Sequence, residues 1–99
     1  HLRKIDVVTV NEYFEGKVKS LVVNSAEGKK TVGVIEPGEY EFNTDGPEAM
    51  TVTAGTMSVY LPAYNEWEDF GAGSSFDVPA KSVFKVKTTE DAAYLCEYK

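Results

Sequence analysis

The chain carries one histidine, His1, and one cysteine, Cys96. A metal centre built on imidazoles therefore cannot be assembled from one copy of it. Cys96 lies in Tyr94-Leu95-Cys96-Glu97-Tyr98 with no histidine beside it in sequence to take its proton, so it reads as a small buried hydrophobe, not a thiolate nucleophile. What remains for chemistry is carboxylates, phenols, hydroxyls and lysines. Glu48 follows a polar turn, where a carboxylate can donate or accept a hydrogen bond but usually faces water. Tyr40 and Tyr94 could each bring a phenol into an interior while burying the ring; the plainer reading is a core aromatic with a satisfied hydroxyl. Gly71-Ala72-Gly73 is too short for a phosphate-cradling loop and opens no helix pattern. With 16 acidic and 10 basic residues the net charge is −6, which argues against nucleic acid or an anionic membrane as partner. An anionic ligand would need a local cluster of donors.

The elements that must position these groups read as strands. Residues 37–62 form the centre: Tyr40, Phe42 and Thr44 share one face of an extended segment and Glu39, Glu41 and Asn43 the other, because side chains alternate with period two. Asn43-Thr44-Asp45-Gly46-Pro47 then turns the chain, with Asp-Gly as the site of positive φ. Met50, Val52 and Ala54 make the next apolar face, Gly55-Thr56 reads as a hairpin, and Met57, Val59 and Leu61 repeat the face until Pro62. Further strands are expected over 17–24, 31–36, 75–79, 82–88 and 94–99, with a turn around Gly28 and a bulge or close backbone approach at Gly33. Val7, Val8 and Val10 suit a short edge strand, residues 11–14 could start a helical turn that Gly16 stops, and residues 63–70 fit a turn and short strand. In the 17–24 strand Lys19 shares a face with Leu21 and Val23 and opposes Val18 and Val22, so the period leaves open which face is inside. The expected fold is all-β, a single-domain β-barrel of the jelly-roll kind with about eight to ten strands and little helix. At 99 residues there is material for one core and not two. No apolar run approaches the ~20 residues of a membrane span and nothing resembles a secretory signal, so the cytoplasm is the expected location.

Two spacings narrow the fold further. Six residues separate Glu48 from Gly55 and five separate Gly73 from Pro79, the anchor spacings of the two cupin motifs. Where a metal-binding cupin places His-x-His ahead of its Glu, this chain has Glu41, Phe42, Asn43 and Thr44; where it places a third histidine, five residues past Pro79, this chain has Phe84. No metal and no other cofactor is expected. Asn11-Glu12-Tyr13-Phe14, Gly16-Lys17-Val18-Lys19-Ser20, Gly38-Glu39-Tyr40, Met50-Thr51-Val52, Leu61-Pro62, Val78-Pro79 and Tyr94-Leu95-Cys96 together resemble the short pyrimidine/purine nucleoside phosphorylase family of single-domain cupins. The resemblance runs from Asn11 to Tyr98. It implies a cupin domain over residues 11–99, with residues 1–10 as an N-terminal extension or edge strand. It also implies a cytoplasmic homodimer that takes nucleosides and inorganic phosphate to free base and pentose 1-phosphate.

Under that resemblance, phosphorolysis passes through a cationic, oxocarbenium-like sugar, so positioning and electrostatics are the expected sources of rate. Available donors for phosphate are Lys17, Lys19, Thr44, Thr51 and Lys81; Lys19 is preferred because apolar face-mates could carry it inward, against the plain reading of a solvated strand lysine. Phe84, at the vacated ligand position, could stack on a base of either class, or simply fill the core. Glu48 is the candidate catalytic group, at the sugar hydroxyls or base, and Tyr40, Thr44 and Tyr94 complete the candidate substrate site. Two rivals stand beside the enzyme: a cupin that binds a small sugar or nucleoside without turnover, and a dimer module whose barrel is filled solid. The number of inward polar groups separates them.

Overall fold

Alternating burial governs the architecture, as it does wherever one face of a strand meets a core and the other meets solvent. The computed structural model describes residues 8–99, among which there are ten strands and one short 3-10 turn. The strands are β1 (Val10–Tyr13), β2 (Val18–Ser25), β3 (Gly28–Ile35), β4 (Gly38–Asn43), β5 (Glu48–Ala54), β6 (Thr56–Leu61), β7 (Glu66–Gly71), β8 (Ser75–Val78), β9 (Val83–Thr88) and β10 (Ala92–Tyr98). They form a six-stranded sheet in the order β1-β2-β3-β10-β5-β8 and a four-stranded sheet in the order β4-β9-β6-β7, every pairing antiparallel. Val18, Ile35, Met50, Val52, Phe76, Val78, Ala92 and Cys96 from the first sheet meet Tyr40, Met57, Val59, Leu61, Phe84 and Val86 from the second in one core.

Several local expectations change in detail. Gly55 does not close a hairpin: β5 belongs to the six-stranded sheet and β6 to the four-stranded one, so Gly55 is the corner at which the chain changes layers. Its φ of 75° and the carbonyl oxygen of Asp91, 2.6 Å from where a Cβ would stand, both call for glycine. The β4-β5 connection also crosses between layers, and Asp45-Gly46 turns without positive φ. Residues 11–14 do not start an ordinary helical turn; Asn11 to Tyr13 lie in β1, and Phe14, Glu15 and Gly16 follow with φ of 54°, 58° and 86°, a left-handed turn. The hairpin around Gly28 forms as expected, and Gly33 marks a close approach with no bulge. The expected edge strand at Val7 to Val10 lies partly outside the described residues; edge pairing is seen from Thr9, whose carbonyl accepts from the Val22 amide at 3.0 Å. In β2 the inner face is Val18 and Ser20, both buried, which puts Lys19 outside with Leu21 and Val23.

Candidate active site

Between the inner faces of the two sheets lies a cavity of about 280 Å³. Its polar wall comes from the six-stranded sheet, where register aligns the inward residues of β2, β3, β10 and β5 in rows. Ser20 stands opposite Gly33, which stands opposite Tyr94; Thr31 stands opposite Cys96, which stands opposite Met50; Tyr98 stands opposite Glu48. An added Cβ on Gly33 would lie 2.4 Å from Oη of Tyr94, so the glycine is what lets this ring lie across β3. Burial raises the Tyr94 pKa well above the usual phenol range and keeps the hydroxyl a neutral donor. The Tyr98 hydroxyl and Thr31 Oγ1 are 3.3 Å apart, and Asn11 Nδ2 donates to Ser20 Oγ at 3.3 Å.

Glu48 is the carboxylate of this wall. Cys96 Sγ donates to its Oε1 at 3.3 Å. Burial, with Asp45 adding repulsion, pushes the Glu48 pKa above the usual carboxylate range, and the hydrogen bond from Cys96 opposes that rise. Burial and the neighbouring carboxylate push the Cys96 thiol up to about 12, so it stays protonated as the donor. Burial likewise raises Tyr98 to about 12.

The opposite wall is aromatic. Phe42 of β4 and Phe84 of β9 are directly paired across the strands, their rings stacked with centroids 5.6 Å apart. Phe14 meets Phe42 edge-on at 5.6 Å and tilts against Tyr40 at 5.0 Å, and it remains 42% exposed, so it has free ring surface at the mouth. The left-handed turn that presents it is strained for non-glycine residues, the kind of conformation that persists where surrounding contacts hold it. Exposed Tyr13, Glu41 and Asn43 edge the opening.

Of the residues singled out from sequence, Glu48, Phe84 and Tyr94 line this cavity. Tyr40 lies behind it, buried, its hydroxyl donating to the Glu36 carbonyl at 2.8 Å. Thr44 is spent on the fold: its Oγ1 donates to the Pro79 carbonyl at 2.7 Å and accepts from the Ser82 amide at 2.9 Å. Lys19 is exposed on the outer face opposite Glu12, Lys17 and Lys81 are exposed, and Thr51 Oγ1 is 2.8 Å from Ser75 Oγ away from the cavity. Sequence reasoning missed Phe14, Ser20, Thr31 and Tyr98. For three of them the signal was present: Ser20 stands between Val18 and Val22, Thr31 leads the Gly33 and Ile35 face, and Tyr98 continues the Tyr94 and Cys96 face.

A cupin-type metal does not fit these residues. The position of the third histidine is Phe84, packed in the aromatic wall, and no group of three His, Cys, Asp or Glu side chains converges among the described residues. On the far side of Glu48 an open groove of about 500 Å³ is lined mostly by the apolar Pro47, Leu61, Pro62, Val78 and Pro79, with Asp77, Ser82 and Lys99 as its polar members.

Comparison with known proteins matches this arrangement to one family. The model of the family described as pyrimidine/purine nucleoside phosphorylase matches residues 8–98. A curated protein of that name from Tolumonas auensis is 52% identical over 93 residues, which cover 94% of this chain and 100% of the relative. Another from Pseudomonas fluorescens is 54% identical over 90 residues, 91% of this chain and 96% of the relative. Among solved structures, a protein of unknown function from Vibrio parahaemolyticus superposes with a TM-score of 0.90 at 41% identity, covering 95% of this chain and 100% of its own. An RmlC-like cupin from Shewanella frigidimarina superposes with a TM-score of 0.70 at 15% identity over 97% of this chain and 86% of its own, a likeness of fold alone.

Proposed function

The chain belongs to the pyrimidine/purine nucleoside phosphorylase family, and from that premise we propose how its cavity carries out phosphorolysis of nucleosides. A phosphate oxygen bonds to C1′ of the sugar as the C1′–N bond breaks, and the bonding pair leaves with the base. The products are free base and pentose 1-phosphate, so the enzyme is a pentosyltransferase. One observation carries this reading: a cavity whose aromatic wall faces a wall of hydroxyls and one carboxylate, which suits a ligand with a flat apolar end and a polyhydroxyl end. A volume of about 280 Å³ is near the lower end of the ~300–1,000 Å³ typical of small-molecule sites. A barrel filled solid would offer neither the space nor the inward polar groups.

The base is assigned to the aromatic wall of Phe14, Phe42 and Phe84, where stacking tolerates purine and pyrimidine alike because each has a π face. Glu48, as the carboxylate, accepts hydrogen bonds from the sugar hydroxyls and faces the positive charge that develops on the ring, an interaction stronger in the transition state than in the ground state. Tyr94 and Tyr98 donate as neutral phenols. No step calls for a metal. Residues 11–99 are taken as the catalytic domain and the cytoplasm as its location; no helix among the described residues is long and apolar enough to cross a membrane. A homodimer is proposed on the strength of an apolar outer sheet face.

The test is incubation with a mixture of purine and pyrimidine nucleosides, with and without inorganic phosphate, followed by chromatography for free base and pentose 1-phosphate. Release of both, dependent on phosphate and unchanged by EDTA, is expected. Base released equally without phosphate would replace phosphorolysis by hydrolysis, and binding without release would favour the non-enzymatic alternative.

A further inference from the structure

A phosphate dianion is held by cations or by many converging donors. Among the described residues lining the cavity there are hydroxyls, an amide and carboxylates, and no lysine or arginine. A cation stands one step beyond the lining, at the start of β3. In that strand Lys29, Thr31, Gly33 and Ile35 fall on one face by alternation, and the last three are buried toward the cavity. Lys29 therefore stands at the open end of the cavity-facing row. Its Nζ lies 5.3 Å from the ring centroid of Tyr98, and Tyr98 both lines the cavity and stands opposite Glu48. Across β3, β10 and β5 the row reads ammonium, phenol, carboxylate.

The other lysines near the site are placed differently. Lys30 turns to the opposite face, where Glu27 at 3.1 Å and Glu97 at 3.3 Å neutralise it. Lys19 and Lys85 lie on outer faces, opposite Glu12 and Glu41 respectively. Among the described residues no ion pair engages Lys29, so its charge is available to a ligand.

We propose that Lys29 is the phosphate-binding cation of this site, with the Tyr98 and Thr31 hydroxyls supplying further donors to the same anion. The inference rests on the phosphorylase reading for its ligand. Contact with the Tyr98 ring confines the flexible lysine stem without consuming the ammonium's hydrogen-bonding capacity.

Calorimetric titration of inorganic phosphate into the wild type, Lys29→Ala, Lys29→Arg, Lys30→Ala and Lys19→Ala tests this without requiring turnover. Lys29→Ala is expected to weaken phosphate binding by about 10- to 100-fold, the scale of one charge-assisted hydrogen bond. Lys29→Arg should restore most of it, and the other two variants should match the wild type. In steady-state assays the phosphate KM should rise in Lys29→Ala while the nucleoside KM at saturating phosphate holds. Unchanged phosphate affinity in Lys29→Ala, an equal loss in Lys30→Ala, or no phosphate binding by the wild type would each overturn the proposal. Should the wild type release base without phosphate while phosphate binding still depends on Lys29, the anion site stands and the phosphorylase reading falls.

Discussion

At Glu48 folding and the proposed catalytic role pull in opposite directions. A carboxyl whose pKa is raised in the folded protein holds its proton more tightly there than in the unfolded chain. As pH climbs from the ordinary carboxylate value through the raised one, the folded state therefore loses stability relative to the unfolded state. The same ionisation creates the charge that would stabilise an oxocarbenium-like sugar. In Glu48→Gln the Cys96 thiol keeps an oxygen acceptor but the buried charge is gone. That variant should lose the pH-dependent decline in stability over this window, seen by denaturant unfolding at a series of pH values. It should also lose about 100-fold or more in turnover, the usual consequence of deleting one transition-state electrostatic contact. In the wild type kcat/KM should rise with pH through the Glu48 titration. Wild-type turnover in Glu48→Gln would remove Glu48 from the mechanism.

The pairing of β3 with β10 is what places Tyr94, and Gly33 is where that placement can be tested. Gly33 is not at a positive φ, so replacing it by alanine costs little backbone freedom and acts through the collision of Cβ with the Tyr94 ring. Gly33→Ala should destabilise the protein by about 1–3 kcal/mol, as overpacking does, and reduce turnover by displacing the phenol. In a Tyr94→Ala background the same change should cost far less, and the resulting coupling energy in unfolding experiments measures the contact. Equal costs in both backgrounds would mean that the ring does not rest on Gly33. The element level is also where sequence was most and least informative. Strand faces such as Met57/Val59/Leu61 and Phe84/Val86 were legible because period two is a local property. That β5 and β6 part company at Gly55 was not, because sheet membership depends on which distant strand each one pairs with. Lys19 misled for a related reason: both faces of β2 are apolar, and the buried one is distinguished only by the sheet opposite. Glu48 and Tyr94 could be found from spacing and resemblance, whereas Phe14 reaches the cavity through a left-handed turn that its sequence, with glycine only at the third position, does not announce.

For the whole molecule, the two sheets present different outer faces. On the four-stranded sheet Glu39 stands opposite Lys87 and Glu41 opposite Lys85, a solvated pattern of alternating charge. The six-stranded sheet instead carries Val10, Leu21, Val32 and Leu95 in one cross-strand row over β1, β2, β3 and β10, with Val34 in the adjacent row. Exposures of 51% for Val10, 44% for Leu21, 41% for Val32 and 52% for Val34 leave a contiguous apolar strip on the surface. Such strips mark association surfaces, and a twofold pairing of identical faces buries one against itself without leaving an open edge to propagate. The homodimer proposed here therefore uses this face, with β1 at its margin. Light scattering at micromolar concentration should give twice the chain mass. Leu21→Asp and Val32→Asp, each placing a charge in the middle of the strip, should raise the dimer dissociation constant by about 30-fold or more, the scale of a central contact residue, while Lys85→Ala on the opposite sheet should leave it unchanged. A wild-type monomer mass that does not change with concentration would exclude the dimer. A dimer indifferent to both aspartates would keep the assembly but move its interface off this face.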